Sequence, residues 1–283
     1  MIFNWFTAAL LVTISIGIVA FINKIFAERK YDERFSAMVL YGIMFAFSLV
    51  YLSFFQVKSL EFFDVFLLVI WGIVICSYSL IMMAALKYLP TSTYFISVRL
   101  SSSLILLVIG IFFFGDLISN YEILGLFLGV LAMLLLFEKE QKENLDYKKG
   151  VFFLILGILV LVLGHAIAKI FSTKFDLIPT VLVLIFFSSF LFSLLVGYRT
   201  INNNRKYFKS IFIINFWQAI LYFFYFVMLF KVYGMGDLGI SYKIQSYSPF
   251  IPIILSSIIY KEKITKKKMV ALVLTIFSLW FFA

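Results

Sequence analysis

The sequence holds little of what aqueous chemistry needs: 283 residues contain one cysteine, one histidine and four prolines, and only 13% are charged. With Cys76 alone, a disulfide framework, an iron–sulfur site and a cysteine-based zinc site are excluded. With His165 alone and dispersed carboxylates, the clustered His, Asp and Glu that a lipid-modifying membrane enzyme would need are missing. No phosphate-binding Walker sequence occurs, so ATP is not expected to drive the protein directly. A soluble domain typically carries about 25% charged residues, and the shortfall rules out a cytosolic enzyme, a nucleic-acid binder and a disordered tail. The net charge of +10 does not restore nucleic acid as a partner, because the lysines and arginines stand in short clusters between apolar blocks.

What the chain does have is apolar surface: 64% hydrophobic residues, 20% aromatic residues and a mean hydropathy of +1.10. A helix needs about 20 apolar residues to cross a bilayer, and ten such runs are present. They cover 3–26, 35–55, 62–86, 92–114, 121–137, 150–172, 179–198, 208–230, 236–259 and 268–282. None alternates in polarity as a β-barrel strand would. The first run has no basic lead and no small-residue cleavage pattern, so a retained helix is expected rather than a signal peptide. The runs 1–137 and 150–283 read as two five-helix halves joined by the polar linker 138–149, EKEQKENLDYKK.

The halves align with each other. At an offset of 145, Lys24-Ile25-Phe26 meets Lys169-Ile170-Phe171; at 146, Trp71 meets Trp217, Met82 meets Met228 and Asp116 meets Glu262. Five helices is an odd number, so the second copy enters the membrane upside down. The expected fold is therefore an all-α polytopic membrane protein, ten transmembrane helices as two inverted five-helix repeats. Such repeats are typical of transporters, with the substrate held between them near mid-membrane. Lys24, Arg99, Lys169 and Lys243 fall within helices; among the other basic residues, only Lys58, Lys174 and Lys231 lie on the side that carries both termini. The positive-inside rule then places the basic loops in the cytoplasm of a cell-membrane protein and both termini outside.

Two matching turns end the halves: Phe112-Phe113-Phe114-Gly115-Asp116-Leu117-Ile118, followed by Gly125 and Gly129, and Ile258-Ile259-Tyr260-Lys261-Glu262-Lys263-Ile264. These turns, with Ser248-Pro249-Phe250, resemble motifs of the drug/metabolite transporter superfamily, specifically its ten-helix EamA-type exporters. The resemblance covers the whole chain and implies a duplicated five-helix transporter. Lys261 stands where the family commonly has glycine, and the family usually keeps both termini in the cytoplasm, opposite to the charge count here. Four-helix drug exporters of the superfamily rely on a glutamate inside the first helix, which this chain lacks before Glu28.

Charges inside an apolar run are costly and mark functional candidates. Arg99 stands well inside the fourth run among Ser97, Ser101, Ser102 and Ser103; Lys243 stands inside the ninth, beside Tyr242 and Gln245. No helix interior supplies a well-placed carboxylate to neutralise them, so the missing counter-charge is read as the ligand, and a guanidinium suits carboxylate or phosphate. Substrate-binding candidates are Arg99, Lys243, Gln245, Tyr242, Ser103, His165 and Trp217. His165 could carry a coupling proton or sit neutral between helices; Trp71 and Trp217 could wall a cavity or simply pack. Lys24 and Lys169 are expected to snorkel to headgroups. The expected function is a secondary transporter of a small organic anion or zwitterionic metabolite, working by alternating access without cofactor or metal. A drug, cation or amino-acid exporter, or a flippase for a lipid-linked phosphate, is the alternative.

Overall fold

The structure, a computed structural model, describes residues 4–29, 31–56, 59–86, 88–89, 91–136, 147–174, 177–259 and 266–281. Every regular element among them is helical: α1 Trp5–Glu28, α2 Glu33–Leu52, α3 Phe62–Leu86, α4 Thr91–Ile109, α5 Asn120–Leu136, α6 Tyr147–Ser172 and α7 Ile178–Gly197. There follow the short α8 Ile201–Asn204, then α9 Phe208–Met235, α10 Leu238–Gln245, α11 Phe250–Ile259 and α12 Lys266–Trp280. Seven helices are long and apolar enough to cross a membrane, namely α1, α2, α3, α4 with the π-turn that ends it, α6, α7 and α9; α5 and α12 are shorter apolar helices. Residues 138–146 of the expected linker and 260–264 of the second turn motif lie outside the described residues, while Tyr147–Lys149 already open α6.

Local chemistry sets the helix starts. Asp32 caps α2, its carboxylate accepting from the Arg34 and Phe35 amides, and Ser119 with Glu122 forms a reciprocal capping box at the start of α5. The eighth expected run continues past 230 to Met235, and the ninth is broken. Over Ser246–Pro249 the backbone bonds tighten to the i−3 carbonyl, with the Tyr247 amide donating to Ile244 and the Ser248 amide to Gln245. Pro249 has no N–H to continue the α-helical ladder, so α10 and α11 are half-helices. Pro252 falls in the first turn of α11, where its missing donor costs nothing.

The first five helices do not pack as a separate unit. Instead α2 lies against α7, α3 against α6 and α7, α1 and α2 against α9, and α5 against α12, while α10 is held between α1, α4 and α9. Close approach is bought with small residues. A Cβ on Gly72 of α3 would sit 2.4 Å from the Ile185 carbonyl oxygen of α7, and Ser189 of α7 donates to the Gly72 carbonyl at 2.8 Å. Large apolar side chains such as Phe112 and Phe113 are about four-fifths exposed on the outside, whereas many serines, several asparagines and the in-helix cations Arg99 and Lys243 are buried inside. That inside-out distribution suits a hydrocarbon surround.

Candidate functional site

Helices α3, α4, α6 and α9, with Ile16 of α1 and Tyr41 of α2, wall a partly open cavity. Its lining is mostly aromatic and aliphatic, and it includes one cation: Arg99 of α4. Arg99 is 6% exposed. Its guanidinium donates to the Tyr242 hydroxyl at 3.2 Å and stands 5.8 Å from the centre of that ring. Tyr242 is its one hydrogen-bond partner among the described residues, and no carboxylate among them pairs with it. A guanidinium has five N–H donors in a fixed fork, so most of its donor capacity is free for whatever enters the cavity.

The half-helix α10 organises the ring of polar groups around Arg99. Tyr242 turns towards α4 and α6, with the His165 ring edge-on to it at 4.5 Å. His165, also in the lining, shares a 2.6 Å hydrogen bond through Nδ1 with the Tyr233 hydroxyl. Gln245 does not line the cavity; its amide donates to the Tyr233 hydroxyl at 3.3 Å and its carbonyl accepts from Tyr225 at 3.5 Å, bracing a tyrosine that does. Arg99, Tyr242 and His165 are thus brought together, with Gln245 one contact behind them.

The other expected site residues lie elsewhere. Trp217 is 61% exposed on the outside of α9 and is no wall of the cavity; its counterpart in the first half, Trp71, is 1% exposed and lines it. Ser103 is buried and donates to the Leu100 carbonyl within its own helix. Lys243, one residue on from Tyr242, is turned by about 100° and faces away from the cavity towards Gly129 of α5. Lys169 does not snorkel outwards: its ammonium donates to the carbonyls of Tyr233 and Gly236 at 2.7 and 2.8 Å, closing the end of α9. The Lys24 side chain lies outside the described residues.

Residues 148–283 match the EamA-like transporter family. The match covers the second part of the chain, just under half of it, and supports a place in the drug/metabolite transporter superfamily. Members of this family are transporters, and together with the membrane-length apolar helices the match supports a multi-pass membrane protein of transporter type in a lipid bilayer. No curated protein matches the sequence. Twenty-nine chains of solved structures match; one, a crystal structure, shares 12% identity and a TM-score of 0.72 over 97% of both chains, a likeness of fold alone.

The turn that carried the family resemblance has a visible task in this EamA-type fold. Gly115 adopts φ +70°, a left-handed conformation that L side chains disfavour, and it turns Asp116 back under the π-turn. The buried Asp116 carboxylate then accepts from the Gly239 amide at 3.2 Å, at the positive end of α10. The first half therefore anchors the start of the half-helix that positions Tyr242. Sequence reading placed Asp116 only at a helix end, and it missed Tyr78 and Tyr225 of the lining. Aromatic residues are too abundant in this chain for any one to stand out.

Proposed function

We propose that the protein is a secondary transporter of a small organic anion or zwitterionic metabolite, bound at Arg99 in the central cavity and moved by alternating access. The observation that carries this reading is a buried guanidinium facing a cavity without a carboxylate partner among the described residues. At mid-membrane such a charge costs roughly 2.5 to 3.5 kcal/mol on insertion scales, a cost that an anionic ligand would offset. His165 in the lining, and Tyr242 behind Arg99 rather than in the lining itself, complete the polar side of the site, and Trp71, Tyr78 and Tyr222 supply its walls.

Ten spans in two inverted repeats, 1–137 and 150–283, form part of the same reading. Its support is the packing pattern under exchange of halves, taking α1 with α6, α2 with α7, α3 with α9, α4 with α10 and α11, and α5 with α12. The contact of α3 with α6 then pairs with that of α1 with α9, and α3 with α7 pairs with α2 with α9. The contacts of α2 with α7 and α5 with α12 map onto themselves. The cavity is lined from both 1–137 and 150–283, which supports a site between the two proposed copies, the position expected of a carrier.

The test is thermal unfolding of the purified protein in detergent against organic phosphates, carboxylates, zwitterionic amino acids and lipophilic cations, with Arg99→Gln in parallel. A ligand at a hundredfold excess over its Kd adds about 2.7 kcal/mol of stability. Anions or zwitterions should raise the wild-type midpoint and leave the variant's unmoved. Equal stabilisation of both proteins by cations would replace this reading with drug or cation efflux.

A further inference from the structure

Lys243 has no place in the cavity, and its surroundings are unusual for a cation. The residue is 0% exposed, and its Nζ is among the few buried polar atoms without a hydrogen-bond partner among the described residues. The amine rests against Gly129 of α5 so closely that a Cβ there would lie 2.8 Å from Lys243 Cε and 3.1 Å from Nζ. On its other side is the ring of Tyr247, 5.6 Å away, whose hydroxyl bonds Ser278 of α12; Ser278 in turn donates to the Gly125 carbonyl of α5. An ammonium held this way is paid for by neither a carboxylate nor a carbonyl. The nitrogen is fully buried between these groups and is no part of the cavity lining.

We propose that Lys243 is a proton-binding site separate from the cavity, vacant in this conformation and filled when α10 moves away from α5 and α12. This rests on the alternating-access reading. On this proposal the nitrogen carries no extra proton while it is packed in the helix interface. When the interface opens, water reaches the lone pair and a proton adds to it; the proton must leave again before α10 can return. No other bond changes. The amine sits on the same eight-residue half-helix as Tyr242, the partner of Arg99, so filling the proton site biases the element that shapes the cavity.

The other titratable groups around α10 are distinct from it. Arg99 comes from α4, His165 from α6 through Tyr242, and Tyr225 and Tyr233 from α9, while Asp116 holds the start of α10. From α1, the contacts with α10 are Trp5 on Ser241 and Thr13 on the Ile244 carbonyl, both uncharged; α5 presents Gly129 and α12 presents Ser278.

Two measurements test the proposal on the full chain. The first is the melting midpoint of wild type, Lys243→Met and Lys243→Arg between pH 6 and 9. Because folding would strip a proton from Lys243, the unfolded state binds more protons, and wild-type stability rises with pH. Relative to Lys243→Met, the wild-type midpoint should climb by about 2 °C per pH unit, and the Met variant should be at least as stable at pH 6. Lys243→Arg, which cannot shed its charge, should be the least stable at every pH. Parallel curves for wild type and Lys243→Met, or a folded Arg variant beside an unfolded Met variant, would overturn the proposal.

The second measurement is maleimide labelling of Ser79→Cys in the cavity, in a Cys76→Ala background, with Lys243 present or replaced by Met. The ratio of the two rates cancels the thiol's own titration. It should change at least about fivefold between pH 6 and 9, and a constant ratio would remove the coupling to movement. Failure of the carrier reading itself shows separately, as a lack of anion stabilisation in wild type.

Discussion

Tyr242 touches two polar groups of the cavity lining: its hydroxyl accepts from Arg99, and its ring receives the edge of His165. Tyr242→Phe keeps the ring and removes the acceptor. A hydrogen bond to a charged group contributes about 1.5 to 3 kcal/mol, and water in the cavity replaces part of it. The expected result is a lower ligand-free melting midpoint, with a roughly tenfold loss of anion affinity read from the ligand dependence of that midpoint. At this scale the sequence was legible only where chemistry was rare. Arg99 and His165 could be singled out because an apolar run makes a cation or an imidazole conspicuous. Lys243 was conspicuous for the same reason, but its one-residue separation from Tyr242 aims it at α5 rather than at the cavity. The tryptophans were opaque: Trp71 and Trp217 align in the repeat, yet one faces in and the other out. A helix surrounded by lipid is apolar on both faces, so hydrophobic periodicity does not say which side is inside.

Among the elements, the split of the ninth span into α10 and α11 matters most, and Pro249, which has no N–H for the helical ladder, stands at the break. The helix lengths, by contrast, followed from simple apolar run counting, with errors of a few residues where Lys148 and Lys149 extend α6 and where α9 runs on to Met235. Close packing between elements was not legible, because it depends on which glycines meet a neighbour. Gly72 is one. A methyl group there would stand 1.9 Å from Ser188 Oγ and 2.4 Å from the Ile185 carbonyl, so α3 and α7 must separate to admit it. Gly72→Ala should cost about 1 to 3 kcal/mol, seen as a lower melting midpoint in detergent, and it should leave the anion specificity of the folded protein intact. An unchanged midpoint would mean that α3 and α7 are not held at this distance.

For the whole molecule, the duplication was read from ordered coincidences such as Lys24 with Lys169 and Trp71 with Trp217, and the exchange pattern of helix contacts supports it. Sidedness rests on charge alone. Basic loops facing the cytoplasm put 138–149 inside, so Gln141→Cys in a Cys76→Ala background should resist an impermeant maleimide in intact cells and react after permeabilisation. Labelling in intact cells would reverse the orientation while leaving the fold untouched.

The central claim is that Arg99 binds an anion that the protein carries across the membrane. Its most direct test is uptake into proteoliposomes of a radiolabelled form of whichever anion or zwitterion most raises the melting midpoint, by wild type and by Arg99→Gln reconstituted at equal density. The account predicts saturable uptake by wild type and at least about a hundredfold less by the variant, in keeping with the loss of a charged, bidentate contact. Equal uptake by the two proteins would contradict it.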